Sequence, residues 1–81
     1  MKIKILFFAT LRDKVGAKVL ELEIPPGTTV AGLKEALVQA YPKMAPARNS
    51  IMAAINQEYA QDGQVIPGDA EIALFPPVSG G

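Results

Sequence analysis

The sequence contains neither cysteine nor histidine. Without cysteine the chain forms no disulfide and offers no thiolate as a nucleophile or metal ligand. Without histidine it can build neither a serine–histidine triad nor a histidine-ligated zinc site. No apolar run is long enough to span a bilayer, and the first residues alternate as in a strand instead of forming a signal peptide. We therefore expect a cytoplasmic protein with no metal site.

The charged residues balance, but they are distributed unevenly along the chain. Eight basic and eight acidic residues give a net charge of zero, and no basic cluster typical of nucleic-acid binding is present. The segment up to Arg48 holds all eight basic and four acidic residues, so it carries 8 − 4 = +4, and the rest carries −4. This pattern indicates either an ordinary solvated surface or an acidic half that approaches a positive partner.

Length and composition favour one small globular domain over residues 1–81. The chain has 81 residues, of which 49% are hydrophobic and 20% are charged. Alternating apolar residues predict strands, and apolar residues at helical spacing predict one main helix. The predicted elements are strands over 2–9, 18–24, 51–56 and 70–75, a short edge strand around Tyr59, a helical turn over 10–16 capped by Thr10 and ended by Gly16, the main helix over 30–41 capped by Thr28 or Thr29, and a loop over 43–50.

This order of elements predicts an α+β fold of the β-grasp type. A hairpin is followed by a helix and further strands, and one helix can cover only one face of such a mixed sheet. The first and last strands would then lie side by side and parallel, which is an expectation from resemblance to ubiquitin-like folds. On the main helix, Lys34 is expected to face water.

Strand alternation also indicates what the uncovered face of the sheet carries. The helix should cover the face with Ile3, Ile5, Phe7, Leu20, Leu22, Ile72 and Leu74. By parity, Phe8 and Phe75 then lie on the other face, and Tyr59 can join them from the edge. Such aromatic residues favour a partner interface, with Arg12 at its rim. The alternatives are that the tail or a loop covers the aromatic residues, and that Arg12 is simply solvated.

The C-terminus is unusual, because a double proline precedes two final glycines. Pro76 and Pro77 fix two φ angles and hold the exit direction, and Val78 and Ser79 lead on to Gly80 and Gly81. Glycines have no Cβ, so the terminal carboxylate can enter a narrow slot. We interpret residues 76–81 as a flexible functional tail whose working group is the carboxylate of Gly81. The alternative is a frayed terminus.

Three segments resemble one known family. They are Phe7-Phe8-Ala9-Thr10-Leu11-Arg12-Asp13, then Ala53-Ala54-Ile55-Asn56-Gln57-Glu58-Tyr59, and above all the run from Gly68 to Phe75 followed by Pro76-Pro77-Val78-Ser79-Gly80-Gly81. Together they resemble the small, sulfur-carrying subunits of molybdopterin synthase, which are ubiquitin-like β-grasp proteins. The resemblance covers the whole chain, and the C-terminal segment is the most specific. Residues 43–50 match nothing characteristic, and Ala70 stands where such proteins usually carry another acidic residue.

The resemblance implies a chemistry for Gly81. An activating enzyme of the ubiquitin-E1-like type, an adenylyltransferase, would use ATP to adenylate the Gly81 carboxylate, and a persulfide donor would replace AMP with sulfur. The resulting thiocarboxylate would insert into the large synthase subunit and give its sulfur to cyclic pyranopterin monophosphate, within a heterotetramer. The chain itself would bind no cofactor tightly and would not be catalytic alone, although it would be the sulfur-donating subunit of a sulfurtransferase.

Three other functions remain open from the residues. A sulfur carrier of thiamine synthesis shares the fold and the Gly-Gly end but lacks the double proline and the Phe-Arg segment. A ubiquitin-like modifier would be conjugated to lysines through Gly81. A plain interaction module would use the aromatic residues and would not need Gly80 and Gly81.

Overall fold

The computed structural model describes residues 1–77, which form five strands, two α-helices and one 3₁₀ helix. In chain order these are β1 (Lys2–Phe7), α1 (Thr10–Val15), β2 (Val19–Glu23), α2 (Val30–Ala40), the 3₁₀ helix (Pro42–Ser50), β3 (Met52–Ile55), β4 (Glu58–Ala60) and β5 (Glu71–Phe75).

The five strands form one mixed sheet in the order β2-β1-β5-β3-β4. β1 and β5 lie side by side and parallel at its centre, whereas the other neighbouring pairs are antiparallel. The inward residues Ile5, Ile72 and Leu74 are fully buried against Leu33 and Leu37 of α2. One helix on one face of this sheet is the β-grasp topology, so the predicted fold class and the parallel pairing of the first and last strands are confirmed.

The main helix begins and ends where its flanking residues predict. The Thr29 hydroxyl oxygen accepts a hydrogen bond from the Gly32 backbone amide at 3.1 Å, which makes Thr29 the N-cap. The Thr28 hydroxyl instead donates to the Pro25 carbonyl at 2.6 Å. The helix ends at Ala40, because Pro42 cannot continue it. Within residues 1–77, no helix has the length and apolar character needed to cross a membrane.

The junction of β1 and α1 differs from the prediction. β1 ends at Phe7 and not at Ala9, because Ala9 turns the chain with φ 53° and ψ −131°. Ala9 is also the N-cap of α1, so the prediction that Thr10 caps this helix was wrong: Thr10 is its first residue. Gly16 ends α1 as predicted, with φ 83° and its amide donating to the Arg12 carbonyl at 2.8 Å.

The segment predicted as a loop over residues 43–50 is a 3₁₀ helix, so this prediction was wrong. Pro42 ends α2 but also begins the 3₁₀ helix, since the first residue of a helix needs no amide hydrogen. Met44 is fully buried and fixes the segment to the core, while the Arg48 guanidinium pairs with Glu35 on α2. Low apolar content concealed this element in the sequence.

Lys34 does not face water, contrary to the prediction. It is 5% exposed, and its Nζ donates to the Ile51 carbonyl and to Asp62 Oδ1, both at 2.7 Å. The loop before Val65 folds over this side of α2 and supplies Asp62, one of the two acceptors. The apolar periodicity of the helix cannot reveal a contact with a segment so distant in sequence. The hydrogen bond from Lys34 lowers the pKa of Asp62, and partial burial opposes this only in part.

Candidate partner-binding surface and the exit of β5

The uncovered face of the sheet gathers aromatic side chains at one end. The rings of Tyr59 and Phe75 meet edge to face, with centroids 5.9 Å apart and planes inclined by 62°. Phe8 follows β1, and its backbone amide donates to the Leu74 carbonyl at 3.1 Å, so it lies beside the end of β5. The three aromatic residues that the sequence analysis singled out therefore share one end of the sheet.

Strand register extends this surface into a continuous row across all five strands. Leu6 on β1 is the Cα partner of Val19 on β2 and of Ala73 on β5. Ala73 pairs in turn with Ala54 on β3, and Ala54 pairs with Tyr59 on β4. Met52 pairs with Phe75 at the end of the sheet. We call this surface the apolar band; its members are Leu6, Phe8, Val19, Met52, Ala54, Tyr59, Ala73 and Phe75.

The apolar band holds most of the exposed large apolar side chains within residues 1–77. Four of the five lie in it: Tyr59 is 72% exposed, Val19 46%, Phe8 45% and Met52 38%. The fifth, Val65, lies outside the sheet. A contiguous apolar surface on an otherwise charged small protein is typical of a protein-binding site.

The opposite end of the same face is charged. Lys4 on β1 is flanked by Glu21 on β2 and Glu71 on β5, and Lys2 Nζ lies 3.8 Å from Glu21. These residues alternate in sign across the strands, so they are compensated within the sheet. Lys4 lies opposite Glu71 in the β1–β5 register, and Lys34 forms an ion pair with Asp62. Basic residues of the first half of the chain therefore lie beside acidic residues of the second half.

Arg12 lies next to the apolar band, at the start of a groove between β1, α1 and β2. It is half-buried, and it lines a pocket of about 170 Å³ together with Leu6, Phe7, Phe8, Lys18 and Val19. Its Nε is inaccessible to solvent, and no residue within 1–77 accepts a hydrogen bond from it. The structure thus places Arg12 at the rim of the aromatic surface, where the sequence analysis expected it.

The predicted tail begins at the apolar band. β5 ends at Phe75, where Pro76 is half-buried and Pro77 is exposed. Val78, Ser79, Gly80 and Gly81 lie outside the described residues, so their role stays a prediction. Among residues 1–77, no group of three or more histidine, cysteine, aspartate or glutamate side chains is arranged to hold a metal ion.

The sequence analysis named three of the eight residues of the apolar band, Phe8, Tyr59 and Phe75, as interface residues and did not name the other five. Leu6, Val19 and Ala73 could have been found, because alternation within their own strands places each of them on the face that the helix does not cover. Met52 and Ala54 could not, since their place depends on how β3 pairs with β5. That pairing joins segments distant in sequence, and alternation within one strand does not contain it.

The chain is similar to known proteins over nearly its whole length. The model of the ThiS family matches residues 5–81. The molybdopterin synthase sulfur carrier subunit of Arabidopsis thaliana is 35% identical over 81 residues, covering 100% of this chain and 84% of that protein.

Two solved structures show the same fold. The small archaeal modifier protein 1 of Haloferax volcanii has a TM-score of 0.83 and 27% identity, covering 95% of this chain and 98% of that one. A chain in the complex of subunits 1 and 2 of the molybdopterin-converting factor of Helicobacter pylori has a TM-score of 0.67 and 18% identity, with full coverage of both chains. At that identity the second likeness concerns the fold alone.

Proposed function

The chain belongs to the ThiS family, and from this premise we propose that it is the sulfur carrier subunit of a molybdopterin synthase, with Gly81 as the sulfur-bearing residue. The relatives at 30% identity or more that carry this name span the full chain, among them the proteins of Arabidopsis thaliana and Homo sapiens. One structural observation supports the proposal: β5 ends at Phe75 within the apolar band, and residues 76–81 follow it in the sequence. A partner held on the band would therefore receive the tail.

The proposed chemistry makes a poor electrophile reactive in two steps. An E1-like activating enzyme joins the Gly81 carboxylate to AMP from ATP, because a free carboxylate lacks a good leaving group. The terminal sulfur of a persulfide donor then attacks the adenylate and releases AMP, which gives an acyl disulfide on Gly81. A second thiol, on the donor or on the activating enzyme, attacks the S–S bond, so that Gly81 keeps a thiocarboxylate and the two protein thiols end as a disulfide. The large synthase subunit takes up the tail, and one sulfur passes to cyclic pyranopterin monophosphate, after which water releases the Gly81 carboxylate. A second loaded chain supplies the second sulfur of the dithiolene of molybdopterin.

The chain's own contribution is to carry and position the sulfur. With no cysteine in the sequence, sulfur cannot be held on a side-chain thiol, and the C-terminal carbonyl is the remaining place for it. Pro76 and Pro77 restrict the conformations of the segment after β5, which lowers the entropy lost when the tail enters a channel. The charged groups that bind phosphate and pterin are then expected on the partner.

The proposal is tested by intact mass spectrometry on protein isolated from its own cells. A thiocarboxylate replaces one oxygen by sulfur and adds about 16 mass units, nearly the mass of one methionine oxidation, so the shift must be mapped to Gly81. Met1 and Met52 are the methionines to control for, because Met1 is half-buried and Met52 is 38% exposed, whereas Met44 is buried. Sulfur on Gly81 supports the proposal, and only a free carboxylate in cells that contain the activating enzyme and sulfur donor contradicts it.

Deleting Gly80 and Gly81 separates the carrier from an interaction module. We expect the shortened chain to fold and to bind the large subunit, since the core and the apolar band lie before residue 78. Sulfur transfer should be abolished, because the acceptor of AMP and sulfur is gone. The measurement is molybdopterin formation in a reconstituted synthase, with full-length protein as the control. Unchanged product formation would contradict a role for Gly81.

A second candidate is a protein modifier joined to lysines through Gly81. The likeness to the small archaeal modifier protein 1 at 27% identity favours it. The two functions differ in what Gly81 carries in cells, which is sulfur for the carrier and an isopeptide bond for the modifier. Peptide mapping of Gly81 distinguishes them, and the names of the relatives favour molybdopterin over a thiamine-type pathway.

A further inference from the structure

Two basic side chains face the same groove at one edge of the apolar band. Arg12 on α1 and Lys18, just before β2, both line the pocket of about 170 Å³ that also contacts Phe8 and Val19. They line a neighbouring depression of about 410 Å³ as well, beside Asp13. The groove thus joins positive charge to apolar surface.

Neither cation has an acidic partner among residues 1–77. Lys2, Lys34 and Arg48 are each paired with a carboxylate, whereas no described carboxylate lies within 4 Å of Arg12 or Lys18. The Arg12 Nε is also removed from solvent and lacks an acceptor. A buried donor without an acceptor raises the free energy of the unbound protein. A partner oxygen that accepts from this Nε should therefore stabilise the complex more than one that accepts from a solvated arginine.

We propose that Arg12 and Lys18 form a binding site for an aspartate or glutamate side chain of the large synthase subunit, an inference that rests on the proposed function. A guanidinium binds a carboxylate through two parallel hydrogen bonds, and Nε can supply one of them. The groove is continuous with Phe8 and Val19, so its occupant also meets exposed apolar side chains. An acidic residue on a protein surface can pair with the two cations while its neighbours contact the apolar side chains. A free anion would contact the cations only.

The two cations have different parts in this site. Arg12 is half-buried and becomes desolvated on docking, so its pairing should slow dissociation. Lys18 is exposed, so it should act mainly on the association rate and on the dependence of that rate on salt.

The experiment measures association and dissociation rates of the full chain with the large subunit at several salt concentrations. We expect Arg12→Gln to weaken binding by about 30-fold or more, chiefly through faster dissociation. Lys18→Gln should lower the association rate at low salt and flatten its salt dependence. The matched control is Lys43→Gln, which removes one exposed positive charge from a residue that lines neither the groove nor the neighbouring depression.

A second measurement identifies the partner residue. Acidic residues of the large subunit are replaced one at a time by their amides, in combination with Arg12→Gln, and the non-additive part of the affinity change is determined. We expect one carboxylate to couple to Arg12. Thermal unfolding of each variant shows whether the fold is kept, and Arg12→Lys, which retains the charge but not the paired hydrogen bonds, should bind nearly as weakly as Arg12→Gln if the fold is intact.

Three results would overturn the inference. In the first, Arg12→Gln and Lys43→Gln have the same dissociation constant for the large subunit. In the second, no acidic residue of the partner couples to Arg12. In the third, inorganic phosphate competes with the partner through Arg12 at constant ionic strength, which would make this a small-anion site. Each of these leaves the proposed function standing if Gly81 carries sulfur. Failure of the unaltered chain to bind the large subunit would instead contradict the proposed function, and this inference with it.

Discussion

At the scale of single residues, Ala9 has the least ordinary conformation next to the apolar band. Its φ of 53° with ψ of −131° lies in a region that suits glycine, and the turn is held by Phe8 and Ala9 carbonyls that accept from Leu11 and Arg12 amides. Such a residue costs about 1–3 kcal/mol and persists where its surroundings require it. Here it directs Phe8 and Arg12 to the same groove.

Replacing Ala9 with glycine should therefore stabilise the protein. Glycine relieves the backbone strain of the folded state, but it also gives the unfolded chain more conformational entropy, which costs about 0.4–1 kcal/mol. Because the relief of strain is the larger of the two, we expect the free energy of unfolding to rise by about 1 kcal/mol. Urea denaturation measures it. Ala36→Gly, at an exposed position of α2, is the control and should lower stability by about 1 kcal/mol. A loss of stability in Ala9→Gly as well would mean that the turn is not strained.

Phe75 is the last residue of β5, and its ring packs edge to face on Tyr59 of the edge strand β4. We expect Phe75→Ala to weaken binding to the large subunit by about 1–4 kcal/mol, as for a buried anchor of an interface. Val65→Ala is the matched control, since it removes an exposed apolar side chain outside the band. Titration calorimetry gives both dissociation constants, and equal values would assign Phe75 a structural role only.

At the scale of elements, the sequence predicted the helices, strands and caps that depend on neighbouring residues. It did not predict features that depend on contacts between distant segments. Thr29, Gly16 and the alternation of β1 and β5 define their own elements, so these were predictable. Lys34 was not, because its acceptors belong to Ile51 and Asp62, which are 17 and 28 residues away. The 3₁₀ helix was missed for a similar reason, since Met44 is fixed by the core and not by local periodicity.

The Lys34–Asp62 pair connects α2 to the loop before Val65, and it should make stability depend on acid. The pKa of Asp62 is lowered in the folded protein by its hydrogen bond from Lys34. Because this pKa is lower in the folded than in the unfolded chain, the pair adds stability at pH values above the unfolded pKa of about 4. That stability is lost as the pH falls below about 4 and through the folded pKa.

Asp62→Asn should remove that part of the acid dependence. We expect a lower melting temperature than the unaltered chain at neutral pH and a smaller difference between the two as pH falls below about 4. Thermal unfolding across pH measures this. Asp13→Asn, which changes an exposed carboxylate in no ion pair within residues 1–77, should leave the acid limb unchanged. Parallel curves for Asp62→Asn and the unaltered chain would argue against the linkage.

At the scale of the whole molecule, stability is concentrated in the strands that carry the exit of the tail. β1 and β5 each have neighbours on both sides, and their inward side chains Ile5 and Ile72 are fully buried. β2 and β4 are edge strands, and the half-buried Leu20 and Leu22 on β2 reflect this. The central strands β1 and β5 are therefore expected to be the most stable part of the sheet that carries the apolar band.

Amide hydrogen exchange should reproduce this order. We expect the slowest exchange in β1 and β5, at the free energy of global unfolding, and faster exchange in β4, whose amides open locally. Deletion of Gly80 and Gly81 should not alter the pattern, because the pairing of β5 ends at Phe75. Exchange in β5 as fast as in β4 would show that the exit of the tail is not rigidly held.

The parallel pairing of β1 and β5 also determines how the molecule responds to mechanical load. A pull between the start of β1 and the end of β5 acts along both strands in opposite directions, because parallel neighbours have these two points at opposite ends of the sheet. The load is then shared by the whole row of hydrogen bonds, including Lys4 amide to Ala70 carbonyl and Phe8 amide to Leu74 carbonyl. These must break together and not one after another. A force applied between the start of β1 and the tail therefore loads the central strand pair in shear.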